Sequence, residues 1–349
     1  MNINQRDKSF AAIWWEDLSG PRRFLVDTAK KLSAGKSVVL ALPKCVPWID
    51  TMRLTLEKLL RRGTQSIKVI SADKISVEPP KYVLNEFCAN KDGFRPFNKK
   101  AYAKFLAERT GIALNDTCLW IRDADDKKIK QWHAFIADYH EALKERRGGV
   151  FLLEATGNFN DKMRGVEVMA YDKIISDYDS FAFNIFTAAD FGNENRLMKQ
   201  YLAELVSALT KGNVEFGSTC IERRNDLLNA PHATFDNLLH EGKFTTDKTP
   251  EDIDRDIWMT QLKLVFPLVE NFRRYFVRRY ETEIRTAKPL ENPEELEIGA
   301  LYKIFNNKRW LLVGNDGDDL ELYRESRNKL AHLNTLPFDV LQKIFDKNA

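Results

Sequence analysis

The chain has few cysteines and no long apolar run. Its four cysteines lie far apart among 349 residues without a C-x-x-C pair, which argues against a zinc knuckle or a disulfide scaffold. No apolar run approaches the roughly 18 residues that a membrane-spanning helix needs, and no apolar leader opens the chain. We therefore expect a cytoplasmic protein with reduced thiols and no membrane partner.

Neither sign of charge is in large excess, and histidine is scarce. Lys and Arg number 54 against 51 Asp and Glu, so any basic surface for nucleic acid must be local. Of the five histidines, the pairs His133/His140 and His232/His240 lack the i, i+4 spacing that two metal ligands on one helix face favour. We expect neither a metal site nor a cofactor.

Glycine is absent from the loop where a nucleotide-binding protein needs it. A phosphate loop places G-x-x-x-x-G-K-[ST] directly after a strand, so that backbone N–H groups can surround phosphates. Here the apolar run 37–43 is followed by PKCVPWID, which has no glycine and two prolines that lack N–H donors. The G-K-S at 35–37 precedes the run, and we interpret Gly35 as the glycine that ends a helix. ATP hydrolysis is not expected.

Short apolar runs alternate with segments of helical period through the first half of the chain. Each run is rich in Val, Ile, Leu, Phe or Trp and ends in Pro, Gly or Asp, as buried strands do. Strands that alternate with helices predict a largely parallel sheet covered on both faces. The predicted strands are 37–43, 66–73, 118–123, 149–157 and 181–190.

Acidic residues follow the third run, CLWIRDADD. Asp123, Asp125 and Asp126 stand where a Walker B strand has the acidic residue that holds Mg²⁺ through water. The alternative is that Asp125 or Asp126 begins the next helix as its N-cap. Lys44, in the loop after the first strand, completes the candidate remnant of a nucleotide site.

By these features the first 192 residues resemble the P-loop NTPase fold of the STAND and AAA kind. Glu154 and Asp190, at or near the ends of later strands, are further polar residues of the type that such sites use. The phosphate loop of that family is missing. The resemblance therefore implies a degenerate NTPase-like domain.

Beyond about residue 192 the strand rhythm stops and the period becomes helical, with acidic first turns and basic last turns. We predict an α/β domain over 1–192 and a helical domain over 193–349. The longest predicted helix carries arginines interleaved with Phe and Tyr. Either these grip a phosphate backbone and stack on bases, or the rings lie in the core with the arginines in solvent. The arginines are Arg273, Arg274, Arg278 and Arg279.

The stretch RESRNKLAHLNTLP, 324–337, reads as the end of an amphipathic helix. Its period places Arg327 among apolar residues, where a guanidinium needs an anion, a carboxylate or a partner surface. Arg324, Asn328 and His332 follow at i, i+4 and i+8 on an adjoining stripe. An imidazole exchanges a proton near neutral pH and an arginine can hold a phosphate, so these groups suit metal-free RNA cleavage.

RNKLAH fits the R-[polar]-x-x-x-H motif, and the C-terminal helical region resembles the HEPN superfamily, many of whose members are metal-independent endoribonucleases of bacterial defence and toxin systems. The resemblance implies that Arg327 and His332 are the catalytic pair, that Asn328 is the polar residue after the arginine, and that the site forms between two helices of a dimer. The alternative is that Arg324 and Arg327 bridge to the acidic residues in 316–321 while His332 caps the helix.

Two functions of different class follow. The first is a bacterial defence or toxin-type effector, in which an NTPase-like domain senses a signal or partner and a HEPN-like domain cleaves RNA as a homodimer or larger assembly. The second is a non-catalytic regulatory or assembly subunit that docks onto an active ATPase, a nucleic-acid enzyme or a defence-system partner. RNKLAH favours the first function, and the missing phosphate loop favours the second.

Overall fold

The computed structural model describes residues 10–62, 66–88, 90–91, 94–108, 114–144, 146–157, 159, 165–190, 195–289 and 292–349. The chain divides into two compact units, Met1–Asp179 and Ser180–Ala349. The domain boundary predicted between 192 and 193 lies outside the described residues.

A five-stranded parallel sheet forms the centre of the first unit, as predicted. The chain leaves β1 toward one edge of the sheet and leaves β4, its neighbour, toward the other edge. The carboxyl ends of β1 and β4 therefore flank a topological switch point, where an open α/β sheet holds a ligand. In the spatial order β2-β3-β4-β1-β5, the strands are β1 (Ser37–Leu42), β2 (Ser66–Ser71), β3 (Thr117–Arg122), β4 (Val150–Thr156) and β5 (Val166–Ala170).

The fifth strand is not the one that the sequence predicted. The run 181–190 lies in a helix, Asp177–Ala189, and Asp190 follows that helix instead of a strand. An apolar run of this length has no clear period, and the start signal lies upstream, where the Ser176 N–H and Oγ both donate to Asp179 Oδ2 at 2.9 Å. The true β5 was missed because it is a short edge strand interrupted by Glu167, which pairs with Lys31 and Lys36.

Helices cover both faces of the sheet. Odd-numbered strand residues such as Val39, Ile121 and Phe151 pack against α3 to α5. Because successive side chains of a strand point to opposite faces of the sheet, the residues between them face α1 and α2. Asp125 N-caps α5, since its Oδ1 accepts the Lys128 N–H at 2.7 Å, and Gly35 follows α1 at φ 80° as predicted. The helices are α1 (Ser19–Ser33), α2 (Ile49–Arg61), α3 (Pro79–Phe87), α4 (Lys99–Glu108), α5 (Asp126–Leu143) and α6 (Tyr171–Ile174), with a π-helical segment at Ile13–Asp17. The next helix, α7 (Asp177–Ala189), begins at the end of this unit and belongs mainly to the second.

Every secondary-structure element that the structure describes in the second unit is helical, which confirms the predicted fold class. Its core is one cluster of aliphatic and aromatic side chains around the long helix α12. The helices are α8 (Arg196–Thr210), α9 (Val214–Glu222), α10 (Arg224–Asn229), α11 (Pro231–His240), α12 (Pro250–Arg279), α13 (Glu281–Ala287), α14 (Ile298–Phe305), α15 (Asp316–Ala331) and α16 (Phe338–Asp346). Of the helices described in either unit, none is long and apolar enough to cross a membrane.

A buried histidine links α5 to the start of β1. His140 Nε2 lies 2.5 Å from Ser37 Oγ, which in turn accepts the Phe151 N–H at 2.9 Å. Burial lowers the pKa of His140 to about 4, because the protonated ring would lose its hydration. The imidazole is therefore neutral in the folded protein at physiological pH.

This histidine predicts an acid-sensitive first unit. The folded pKa is below the unfolded value of 6.5, so the unfolded chain takes up the proton first and stability falls as pH drops from 6.5 toward 4. The loss should reach about 3 kcal/mol. Melting curves between pH 7.5 and 4.5 should show that His140→Gln flattens this slope and that His240→Gln, at the exposed end of α11, does not. Equal slopes for all three proteins would contradict the prediction.

Candidate functional site

The carboxyl edge of the sheet is occupied by an ion-pair cluster that we call the edge cluster, made of Arg53, Arg122, Asp123 and Glu154. Arg53, from α2, donates from Nη2 to Glu154 Oε2 at 2.6 Å and from Nε to Glu154 Oε1 at 3.2 Å. The same Nη2 reaches Asp123 Oδ1 at 3.2 Å. One guanidinium thus joins the carboxylate that follows β3 and the one near the end of β4.

Burial makes this pairing necessary. Glu154 is only 7% exposed and also accepts the Trp120 indole N–H at 2.9 Å. Burial opposes the charge on Arg53, yet the hydrogen bonds and charges of Glu154 and Asp123 more than offset it, so that the Arg53 pKa is raised. An unpaired carboxylate at this depth would be costly.

Asp123 and Arg122 complete the edge cluster. Asp123 has left-handed backbone geometry (φ 56°), and its Oδ2 accepts the Ser71 hydroxyl at 2.9 Å. The Arg122 guanidinium lies 3.8 Å from the Trp120 ring centroid, and its Nε is 3.7 Å from Glu154 Oε1. Burial lowers the Arg122 pKa, and its Nε and Nη2 have no hydrogen-bond partner in the described part of the chain. The cluster therefore balances two cations against two carboxylates.

The loop after β1 has a different composition and geometry from a phosphate loop. Trp15 donates its indole N–H to the Pro47 carbonyl at 2.8 Å, which fixes the loop from behind. Pro43 and Pro47 supply no N–H group. Lys44 is exposed and forms no hydrogen bond or ion pair within the described ranges. The left-handed backbone position directly before α2 is taken by Trp48 (φ 42°) instead of a glycine.

The other acidic residues predicted for this edge serve the next helix. Asp125 is the N-cap of α5 and Asp126 lies in its first turn, so only Asp123 of the three belongs to the edge cluster. Among the residues that the structure describes, no group of three or more His, Cys, Asp or Glu side chains is arranged to hold a metal.

The RNKLAH segment lies at the end of α15, on the surface. Arg327 is 36% exposed; it pairs with Glu297, just before α14, at 3.2 Å and donates to Asn328 Oδ1 at 3.4 Å. Asn328 is exposed, as is His332, the C-cap residue. Arg324 lies over the Tyr302 ring, 3.5 Å from its centroid. The predicted residues thus share one end of α15, with Arg327 held by a carboxylate other than those in 316–321.

Helix α12 positions this end of α15. Trp258 donates to the Leu330 carbonyl at 2.8 Å, and Gln261 exchanges two hydrogen bonds with the Leu336 backbone, at 2.6 and 3.1 Å. The chain around His332 is therefore anchored on both sides, and the imidazole stands on a fixed backbone.

The four arginines predicted to bind nucleic acid, all in the C-terminal part of α12, differ in their roles. Arg273 is 15% exposed and donates to the carbonyl oxygens of Glu294 and Leu296 at 2.6 and 3.0 Å, so it stabilises the fold. Arg274, Arg278 and Arg279 reach the surface. Sequence periodicity could not separate Arg273 from the other three, because its partners come from a distant segment.

Comparison with family models and with curated proteins finds no match. Solved structures that match the chain include a lysine-to-arginine mutant of RuvB from Thermotoga maritima, with 15% identity, 68% of this chain and 75% of that chain covered, and a TM-score of 0.33. Another is Cdc6p from Pyrobaculum aerophilum, with 12% identity, coverage of 98% and 97%, and a TM-score of 0.31. Both have P-loop NTPase folds. Similarity at this level carries no argument about function.

The edge cluster predicts a large stability difference between two arginines of α2. Arg53→Ala should cost about 3 kcal/mol, because it leaves a buried carboxylate without its main partner. Arg61→Ala removes an exposed i, i+4 pair with Glu57 and should cost less than about 0.5 kcal/mol. Urea unfolding followed by tryptophan fluorescence can compare them.

A third variant tests the cause. Adding Glu154→Gln to Arg53→Ala removes the uncompensated charge and should recover part of the loss. An Arg53→Ala protein as stable as the Arg61→Ala protein would show that the cluster is not needed for folding.

Proposed function

We propose that this protein is a non-catalytic regulatory or assembly subunit, in which the NTPase-like α/β unit binds a partner and does not hydrolyse nucleotide. The observation that supports this is the position of Arg53. Its guanidinium binds Glu154 and Asp123 at the switch point of the sheet, where an NTPase would need free carboxylates for Mg²⁺.

The charge of the edge cluster supports the same conclusion. To bind a nucleoside triphosphate with Mg²⁺, a protein needs backbone N–H donors and at least one available cationic side chain for the phosphates. Here Arg53 and Arg122 are balanced by two carboxylates, and the loop after β1 offers an exposed Lys44 but has two prolines and no glycine. We therefore expect this unit to dock on an active ATPase or a nucleic-acid enzyme instead of binding nucleotide.

We predict no ATP turnover above background and no binding of MgATP tighter than about 1 mM, a weak interaction of roughly −4 kcal/mol. Steady-state phosphate release and titration with a fluorescent ATP analogue measure the two quantities. Arg53→Ala should not create activity, because it frees carboxylates without adding a phosphate loop. Turnover by the wild type that disappears in Asp123→Asn would overturn the proposal.

A separate observation favours a second function, metal-independent RNA cleavage by a HEPN-like helical unit in a bacterial defence or toxin setting. Arg327, Asn328 and His332 occupy one exposed helix end. A second copy of α15 placed against this end would bring two imidazoles and two guanidiniums to one phosphate, as the HEPN resemblance implies. In the isolated chain Glu297 neutralises Arg327, so this function requires the dimer to displace or share that pair.

For this second function, His332→Ala should lower RNA cleavage by roughly a hundredfold or more, since proton transfer is lost. Its unfolding free energy should stay within about 0.5 kcal/mol of wild type, because the imidazole is exposed. The matched control is His240→Ala, which removes another exposed histidine at a helix end.

Cleavage should also persist in EDTA, and light scattering should report a dimer. Equal cleavage by wild type and His332→Ala, or none by wild type, would remove the ribonuclease and leave the regulatory subunit.

A further inference from the structure

The outer face of α12 near its C-terminus carries a group of exposed side chains that we call the α12 basic face: Asn271, Arg274, Tyr275, Arg278 and Arg279. They form two rows at i, i+4 spacing, one of them 271, 275 and 279 and the other 274 and 278. Phe276 and Val277 are buried on the opposite side and fix the rotation of the helix. The basic face is therefore presented to solvent by a rigid element.

The arginines of this face differ in the contacts that they make. Arg274 makes no hydrogen bond or ion pair with any residue that the structure describes. Arg278 pairs with Glu294 at 3.3 Å, but both side chains are well exposed, at 66% and 43%. An exposed pair of this kind contributes little, so an incoming anion can replace the carboxylate. Two neighbouring cations are thus available.

Arg279 has a different role, because it holds a ring. Its Nε pairs with Asp316 at 3.2 Å and its Nη1 donates to the Tyr275 hydroxyl at 2.5 Å. Its guanidinium lies 5.7 Å from the Tyr275 ring centroid. Tyr275 nevertheless remains 45% exposed. A tyrosine ring fixed in place with a free surface is a platform on which a flat ring can stack.

We propose that the α12 basic face binds single-stranded nucleic acid without sequence preference. Arg274 and Arg278, one helical turn apart with Cβ atoms about 6 Å apart, would contact neighbouring phosphates. The intervening base would stack on Tyr275. The exposed ring beside the arginines favours a strand with unpaired bases over a duplex, an acidic peptide or a lipid headgroup. The site needs neither RNA cleavage nor the edge cluster.

The test is fluorescence anisotropy with labelled 20-nucleotide U and dT strands and a 20-base-pair duplex, at several salt concentrations. Arg274→Ala/Arg278→Ala should weaken single-strand binding at least tenfold and make the slope of log K against log salt shallower by about 1.4, as expected for two phosphate contacts. Tighter binding of the U strand than of the dT strand would identify RNA as the ligand. Equal affinity would show that the site binds single-stranded RNA and DNA alike.

The stacking role has its own variants. Tyr275→Ala should weaken binding roughly tenfold, and Tyr275→Trp should restore it, because any aromatic ring can stack. A charge-matched control, Lys243→Ala/Arg255→Ala, removes two cations elsewhere on the helical unit and should change affinity less than twofold.

Three results would overturn the inference: no single-strand binding by wild type at low salt, equal losses in the two double variants, or tighter binding to the duplex or to anionic phospholipid vesicles. None of these results bears on ATP turnover, so the proposed function stands or falls separately.

Discussion

The contact of one guanidinium with two carboxylates organises the α/β unit. Glu154 lies in a strand whose other residues are almost all apolar and buried, and a charge at that depth is tolerated only with a partner. Arg53 supplies the partner from the helix that follows β1, so the helix is tied to β4 by a charge as well as by packing. Asp123, through the same guanidinium, ties in the end of β3.

This arrangement has a functional consequence. In an NTPase-like sheet, the helix after the first strand begins at the phosphates, and its residues face the nucleotide. Here that helix directs an arginine at the acidic residues instead. The edge is therefore closed by its own side chains, and the groups that could hold Mg²⁺ are already used. This closed edge is the reason for proposing that the unit binds a partner and does not hydrolyse nucleotide.

The helical unit is organised by α12. Its inner side holds the end of α15 through Trp258 and Gln261, while its outer side presents arginines and Tyr275 near the C-terminus. One helix thus fixes both surfaces for which we propose contacts with nucleic acid. Because both lie within the same compact unit, they are positioned by a single core.

Several features of the candidate sites could be expected from the sequence, and others could not. The missing glycines after β1 and the acidic residues after β3 are local properties, and they indicated a sheet edge without a phosphate loop. The roles of Arg53 and Glu297 were not foreseen, because each acts through a partner far along the chain. Periodicity identified Arg327 as a residue in need of an anion but could not say which carboxylate would supply it.

The sequence by itself determined the class of the fold, four of the five strands and the helical character of the second half, because apolar period and end signals are local. Only the tertiary structure decided that 181–190 is helical and that 166–170 is the edge strand. A short apolar run is compatible with the period of a helix or of a strand. Which segment becomes the edge strand depends on which strand of the sheet still has an unpaired side. Charge pairing likewise depends on distance in space, so Arg53, Arg273 and Arg327 acquired their roles only when the chain folded.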